Sequence, residues 1–165
     1  MIVGALRLLP EDQQGVPVPG FTVERTIDAP VDEVWAELAD FGEIQKWNPG
    51  VTESYLTSEE TEGEGITRHC SLKPFGSLKE RVAGWHPGER LVVHIYQIDR
   101  LPLKDGIADF TLHDEGEDTT RVHIDYTYEL KWWAKLMPTS LLHTQLERGF
   151  GALLKGLDKH VTTNA

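Results

Sequence analysis

Towards the C-terminal end, Leu142, Leu146, Phe150, Leu153, Leu157 and Val161 recur at helical spacing. They lie within the 24 residues from Pro138 to Val161, a helix of about 36 Å. Gly149, Gly151 and Gly156 fall inside it, and a glycine costs roughly 1 kcal/mol in a helix interior. The expectation is that other parts of the chain approach the helix backbone closely at these glycines, as a sheet curved around the helix does. The remaining residues have to supply that sheet.

They are patterned for it. Phe21, Val23, Arg25 and Ile27 alternate with Thr22, Glu24 and Thr26, the period of a half-buried strand, with Arg25 the odd member of its face. A short amphipathic helix follows: Pro30 suits its first position, Asp32 and Glu33 its positive end, and Val31, Val34, Trp35 and Leu38 its apolar face. Asp40-Phe41-Gly42 interrupts this helix, and a second short piece, Glu43 to Trp47, stops at Asn48-Pro49-Gly50. Strands are expected over Val51 to Thr57, Ile66 to Leu72, Leu78 to Trp85, Leu91 to Ile98, Ile107 to Leu112 and Arg121 to Leu130. Turn chemistry separates them at Ser58 to Gly65, Lys73 to Gly76, His86 to Glu89 and His113 to Thr120, so consecutive strands pair antiparallel. Residues 1–20, with Pro17, Pro19, Gly15 and Gly20, read as an arm or linker; 21–161 read as one domain and 162–165 as a tail.

Composition excludes several functions. With 16 Lys and Arg against 27 Asp and Glu the net charge is −11, and no basic run offsets it. Nucleic acid is therefore not an expected partner. The single cysteine, Cys70, forms neither an internal disulfide nor a multi-cysteine metal site, which fits a reducing, cytoplasmic setting. No run of 18 apolar residues supports an integral membrane span. The acidic turns around Glu59, Glu60, Glu62 and Glu64 and around Asp114, Glu115, Glu117 and Asp118 lack EF-hand spacing and read as solvated loops.

Ile27-Asp28-Ala29-Pro30 with Val34-Trp35, then Asp40-Phe41-Gly42, then Trp47-Asn48-Pro49-Gly50-Val51, resembles the START-like (SRPBCC) superfamily and its polyketide cyclase/dehydrase and lipid transport family. Gly65 with Arg68, Glu80-Arg81-Val82 before His86-Pro87-Gly88, Leu101-Pro102 and Thr120 extend the resemblance across Phe21 to Val161. It implies an α+β helix-grip fold: a curved seven-stranded antiparallel sheet wrapped around the long C-terminal helix, with two short helices after the first strand. It further implies a cavity for a hydrophobic small molecule. It carries over no fixed catalytic set.

Which residues face that cavity follows from alternation. Ile66, Arg68, Cys70 and Leu72 share one face of their strand, and Leu78, Glu80, Val82 and Gly84 one face of the next, so each apolar face holds one charge. A hairpin would pair Arg68 with Glu80 across the interior, where neither stays ionised cheaply alone. The pair either serves a ligand, by binding its oxygen or trading its protons, or is an ordinary salt bridge at the rim. Arg68 and Glu80 are accordingly the candidate catalytic residues. With Trp47, Val82, Val93, Ile95, Phe110, Tyr126 and Phe150 they make up the expected ligand-binding set.

The other features are weaker. Leu91, Val93, Ile95 and Gln97 oppose Val92, His94, Tyr96 and Ile98, and His94 with Tyr96 serves either a carbonyl substrate or the surface. Ala108, Phe110 and Leu112 should meet Val122, Ile124, Tyr126 and Tyr128, leaving Asp109, His123 and Asp125 outside. His123 and Asp125 alone do not make a metal site, and no metal or cofactor is expected. Trp35 reads as core. Trp47 either gates the cavity or clamps the short helices to the sheet. In Lys131-Trp132-Trp133-Ala134-Lys135-Leu136-Met137 at least one tryptophan should be exposed or cover a cavity entrance, as a lid, a membrane-touching segment, a cover for the Met1 to Pro10 arm, or a homodimer contact. Three functions follow: a carrier or sensor for a lipid-, polyketide- or aromatic-like molecule, a cyclase/dehydratase-type enzyme using the polar pair, or an interaction module without ligand.

Overall fold

Residues 18–164 are described by a computed structural model, so the expected arm lies outside the described residues up to position 17. The period-2 segments become β1 (Gly20–Ile27), β2 (Val51–Leu56), β3 (Thr67–Leu72), β4 (Ser77–His86), β5 (Arg90–Asp99), β6 (Leu103–Gly116) and β7 (Thr119–Leu130). They form one antiparallel sheet in the order β1-β7-β6-β5-β4-β3-β2. β1 and β2 are thus opposite edges. The chain passes between them through α1 (Val31–Ala39) and a 3₁₀ turn, Phe41–Lys46, the two short helices of the helix-grip arrangement. Pro30, in extended conformation, sits just before the helix rather than at its first position, and Asp32 and Glu33 occupy the first turn.

The apolar alternation sets the core. Ile27, Val82, Val93, Ala108, Phe110, Val122, Ile124 and Tyr126 are buried on the concave face, and α2 (Thr139–Asn164) packs over them through Leu153, Leu154, Leu157 and Val161. The odd Arg25 is explained by α2: its Nε lies 2.6 Å from Asp158, an ion pair joining β1 to the helix. His160 Nε2 of α2 lies 3.1 Å from a carboxylate oxygen of Glu37 on α1.

Several expectations need correction. A side chain at Gly156 would overlap the carbonyl oxygen of Trp47 and crowd Pro49, but Gly149 and Gly151 have no other part of the described chain within 4 Å of where a Cβ would stand. Close approach therefore explains one glycine of the three. Gln97 does not share the face of Leu91, Val93 and Ile95. It has a φ of 45° beside a register shift between β4 and β5, which turns it outward and buries Ile98 instead. β6 is longer than Ile107 to Leu112, because it pairs with β7 from Leu103 to Gly116 and the acidic link contracts to Glu117-Asp118, both at positive φ. α2 continues through Asn164, so residues 162–164 belong to the helix, not to a tail. Trp35 is half-buried and meets Trp85 edge to face at 5.3 Å.

Candidate functional site

Antiparallel register places Arg68 of β3 directly opposite Glu80 of β4. Both side chains point to the concave face, with the residues only 5% and 8% exposed, so the pair is interior and not at the rim. Arg68 Nε donates to Glu80 Oε2. Its Nη1 donates to the Phe41 carbonyl at 2.6 Å, and its guanidinium lies 3.8 Å from the centre of the Phe41 ring. Cys70 Sγ also donates to Glu80 Oε2, at 3.4 Å. The arginine thus has a carboxylate, a carbonyl and an aromatic face around it, the satisfaction a buried cation requires.

The same register carries the row onward. Glu80 is opposite Ile95, Ile95 is opposite Gly106, and Gly106 is opposite Tyr128. Gly106 leaves room for its diagonal neighbour Tyr126: a Cβ at Gly106 would stand 2.5 Å from Tyr126 Oη. The Tyr126 ring lies across this gap, held by Phe150 of α2 at 4.4 Å and Phe21 of β1 at 5.3 Å between ring centres. Neither Tyr126 Oη nor Glu80 Oε1 has a hydrogen-bond partner among the described residues. Every fully enclosed side-chain N or O among them is partnered, so both atoms border open space. Burial, reinforced by the Glu80 charge, pushes the Tyr126 hydroxyl above its ordinary pKa and does the same to the Cys70 thiol. Both are held neutral.

The expected ligand-binding residues are partly gathered here. Arg68, Glu80, Val82, Val93, Ile95, Phe110 and Tyr126 are buried on the concave face, and Phe150 packs on it from α2. Trp47 stands elsewhere. It is buried against α2 at the level of Gly156 and walls a cleft of about 570 Å³ with Lys73, Lys155 and Lys159. Sequence reading overlooked Phe41, Gly106 and the Tyr128–His143 pair (3.1 Å). A glycine inside a strand signals close approach, but Gly106 fell just outside the strand expected from Ile107.

The remaining candidates lie on the convex face or surface. His94 stacks on Tyr96 and reaches Asp105 at 2.8 Å, both half-exposed. His123 lies 3.5 Å from Glu24 and 3.3 Å from Asp125. No group of three metal-ligating side chains occurs among the described residues. Trp132 is 77% exposed and Trp133, Leu136, Met137 and Leu141 are exposed beside it, around a short 3₁₀ turn at Ala134–Leu136. No helix among the described residues is long and apolar enough to cross a membrane.

A family model described as polyketide cyclase / dehydrase and lipid transport matches residues 19–162. No curated protein matches. Similar solved structures include a START superfamily protein from Mycobacterium smegmatis, with a TM-score of 0.76 and 14% identity, covering 88% of this chain and 99% of that one. TTHA0849 from Thermus thermophilus superimposes with a TM-score of 0.75 at 21% identity, covering 89% and 99%. At these identities the likeness concerns the fold.

Proposed function

Since this chain belongs to the polyketide cyclase/dehydrase and lipid transport family, we propose that it binds a hydrophobic small molecule between the concave face of its sheet and α2, as a cytoplasmic carrier or sensor. The molecule is lipid-, polyketide- or aromatic-like, and Arg68, Glu80, Val82, Val93, Ile95, Phe110, Tyr126 and Phe150 line its place. The observation that carries the reading is the set of polar groups, Glu80 and Tyr126 above all, within an otherwise apolar interior with hydrogen-bonding atoms left unpaired. A chain selected for stability alone gains nothing from them, because apolar residues of similar volume hold a core as well or better. A ligand site, in contrast, needs apolar walls and a few polar groups to fix orientation.

Native mass spectrometry of gently purified protein, paired with an organic extract of the same sample, tests this. An additional discrete mass that extracts intact is the expected result. Protein that carries no such mass and whose uptake of a hydrophobic dye is displaced by no small molecule would overturn the reading.

A further inference from the structure

The two unpaired atoms of the interior differ in what they offer. Tyr126 Oη is attached to a neutral phenol held by its ring between Phe150 and Phe21, and it can donate a hydrogen bond. Glu80 Oε1 belongs to a carboxylate whose other oxygen is taken by Arg68 and Cys70, and as part of an ionised carboxylate it can only accept. The row Glu80, Ile95, Gly106 brings them towards each other, because Tyr126 reaches over the bare position at Gly106 and Glu80 stands two strands away on the same face.

Charge matters as much as hydrogen bonding. Arg68 and Glu80 cancel, and the Arg68 cation is already engaged by Glu80, the Phe41 carbonyl and the Phe41 ring. Arg25, the other arginine turned towards α2, is matched by Asp158. Among the described residues an anionic ligand would find no uncommitted arginine or lysine beside it on this face, and an unpaired buried carboxylate is expensive. A purely hydrocarbon ligand would cover Tyr126 Oη and Glu80 Oε1 without satisfying them, at a cost for each.

Building on the binding function proposed above, we infer that the site selects an uncharged apolar molecule with a hydroxyl-bearing end, which donates to Glu80 Oε1 and accepts from Tyr126 Oη. A neutral hydroxyl supplies both roles. A carboxylate supplies no donor and brings a charge that no arginine or lysine among the described residues on this face is free to neutralise.

Three naphthalene probes separate these cases: 2-naphthol, 2-naphthoate and 2-methylnaphthalene, titrated at neutral pH into the full chain and followed by probe fluorescence. The expected order is 2-naphthol tightest, by at least roughly tenfold over 2-naphthoate, and Tyr126→Phe should weaken 2-naphthol by roughly tenfold. The same variant should tighten 2-methylnaphthalene binding, because it removes a hydroxyl that the hydrocarbon covers without satisfying, and that gain also verifies that the interior is intact. Binding of 2-naphthoate equal to or tighter than 2-naphthol, or no response of 2-naphthol to Tyr126→Phe, overturns the inference while the binding function stands. Failure of all three probes to bind wild-type protein overturns the inference, and the native mass spectrum then decides whether the binding function stands.

Discussion

Glu80 faces Arg68 across the β3–β4 pair, and its Oε2 is shared between the Arg68 guanidinium and the Cys70 thiol. Each charge is tolerated in the interior because of the other. Glu80→Leu alone leaves a buried cation without its counter-charge and is expected to lower stability by about 3–5 kcal/mol. The double variant Arg68→Met, Glu80→Leu removes both charges and should recover most of that loss. Urea unfolding of the two variants measures this, and a double variant no more stable than the single one would show that the pair contributes more than mutual neutralisation.

The three glycines of α2 are expected to respond in opposite directions. Gly149→Ala and Gly151→Ala place a methyl group in open space, and each should stabilise by up to about 1 kcal/mol through helix propensity. Gly156→Ala drives its methyl into the Trp47 carbonyl and should destabilise by about 1–3 kcal/mol despite the same propensity gain. Thermal melts of the three variants suffice. A stabilising Gly156→Ala would contradict the contact.

Cys70 should resist thiol reagents in the folded protein near pH 8 and react fully in urea, because burial and the Glu80 charge keep the thiol protonated. The raised thiol also makes the fold sensitive to alkali. The unfolded thiol ionises at about 8.5 and the folded one only at higher pH, so its contribution is complete below that value and declines as pH rises through the folded pKa. Tyr126 adds the same trend from about pH 10. Stability measured against pH in Cys70→Ala should decline less steeply above pH 9 than in wild type.

On the convex face Thr22 Oγ1 donates to Asp125 at 2.6 Å, and this bond holds the carboxyl below the ordinary aspartate range. A lowered folded pKa gives stability that is present above the unfolded value of about 3.9 and is lost as pH falls through the folded one. Asp125 is largely exposed, so the stabilisation is small. Thr22→Val should bring the Asp125 titration, followed by NMR, back up towards its ordinary value.

Much of this molecule could be read before its structure. Alternation along β3 and β4 identified Arg68 and Glu80 as inward-facing charges, and hairpin geometry made them partners, since both follow from local period and chain order. The third participant did not: Phe41 reaches Arg68 from a 3₁₀ turn 27 residues earlier, and nothing local marks its carbonyl as an acceptor. The phase error at Gln97 has a related cause, because a residue other than glycine at positive φ gives no warning of a bulge. Gly149 and Gly156 are seven residues apart and lie on nearly the same side of α2. They differ through what stands opposite, the Trp47-to-Pro49 turn at one level and open space at the other, and that is set by the path of the chain between α1 and β2.

The unequal seating of α2 bears on how fast a bound molecule can come and go. Its C-terminal half is fixed by Leu153, Leu157 and Val161 in the core, by Asp158 to β1, by His160 to α1 and by the Gly156 notch, whereas Leu142, Leu146 and Phe150 remain half-buried and Gly149 and Gly151 lie between the two regimes. On the binding function proposed above, exchange is expected to proceed by flexing of the helix at its loose end with the sheet ladder intact, a motion of microseconds to milliseconds. Residence time would then be a property of helix stiffness at positions 149 and 151, adjustable without altering a residue proposed to line the interior.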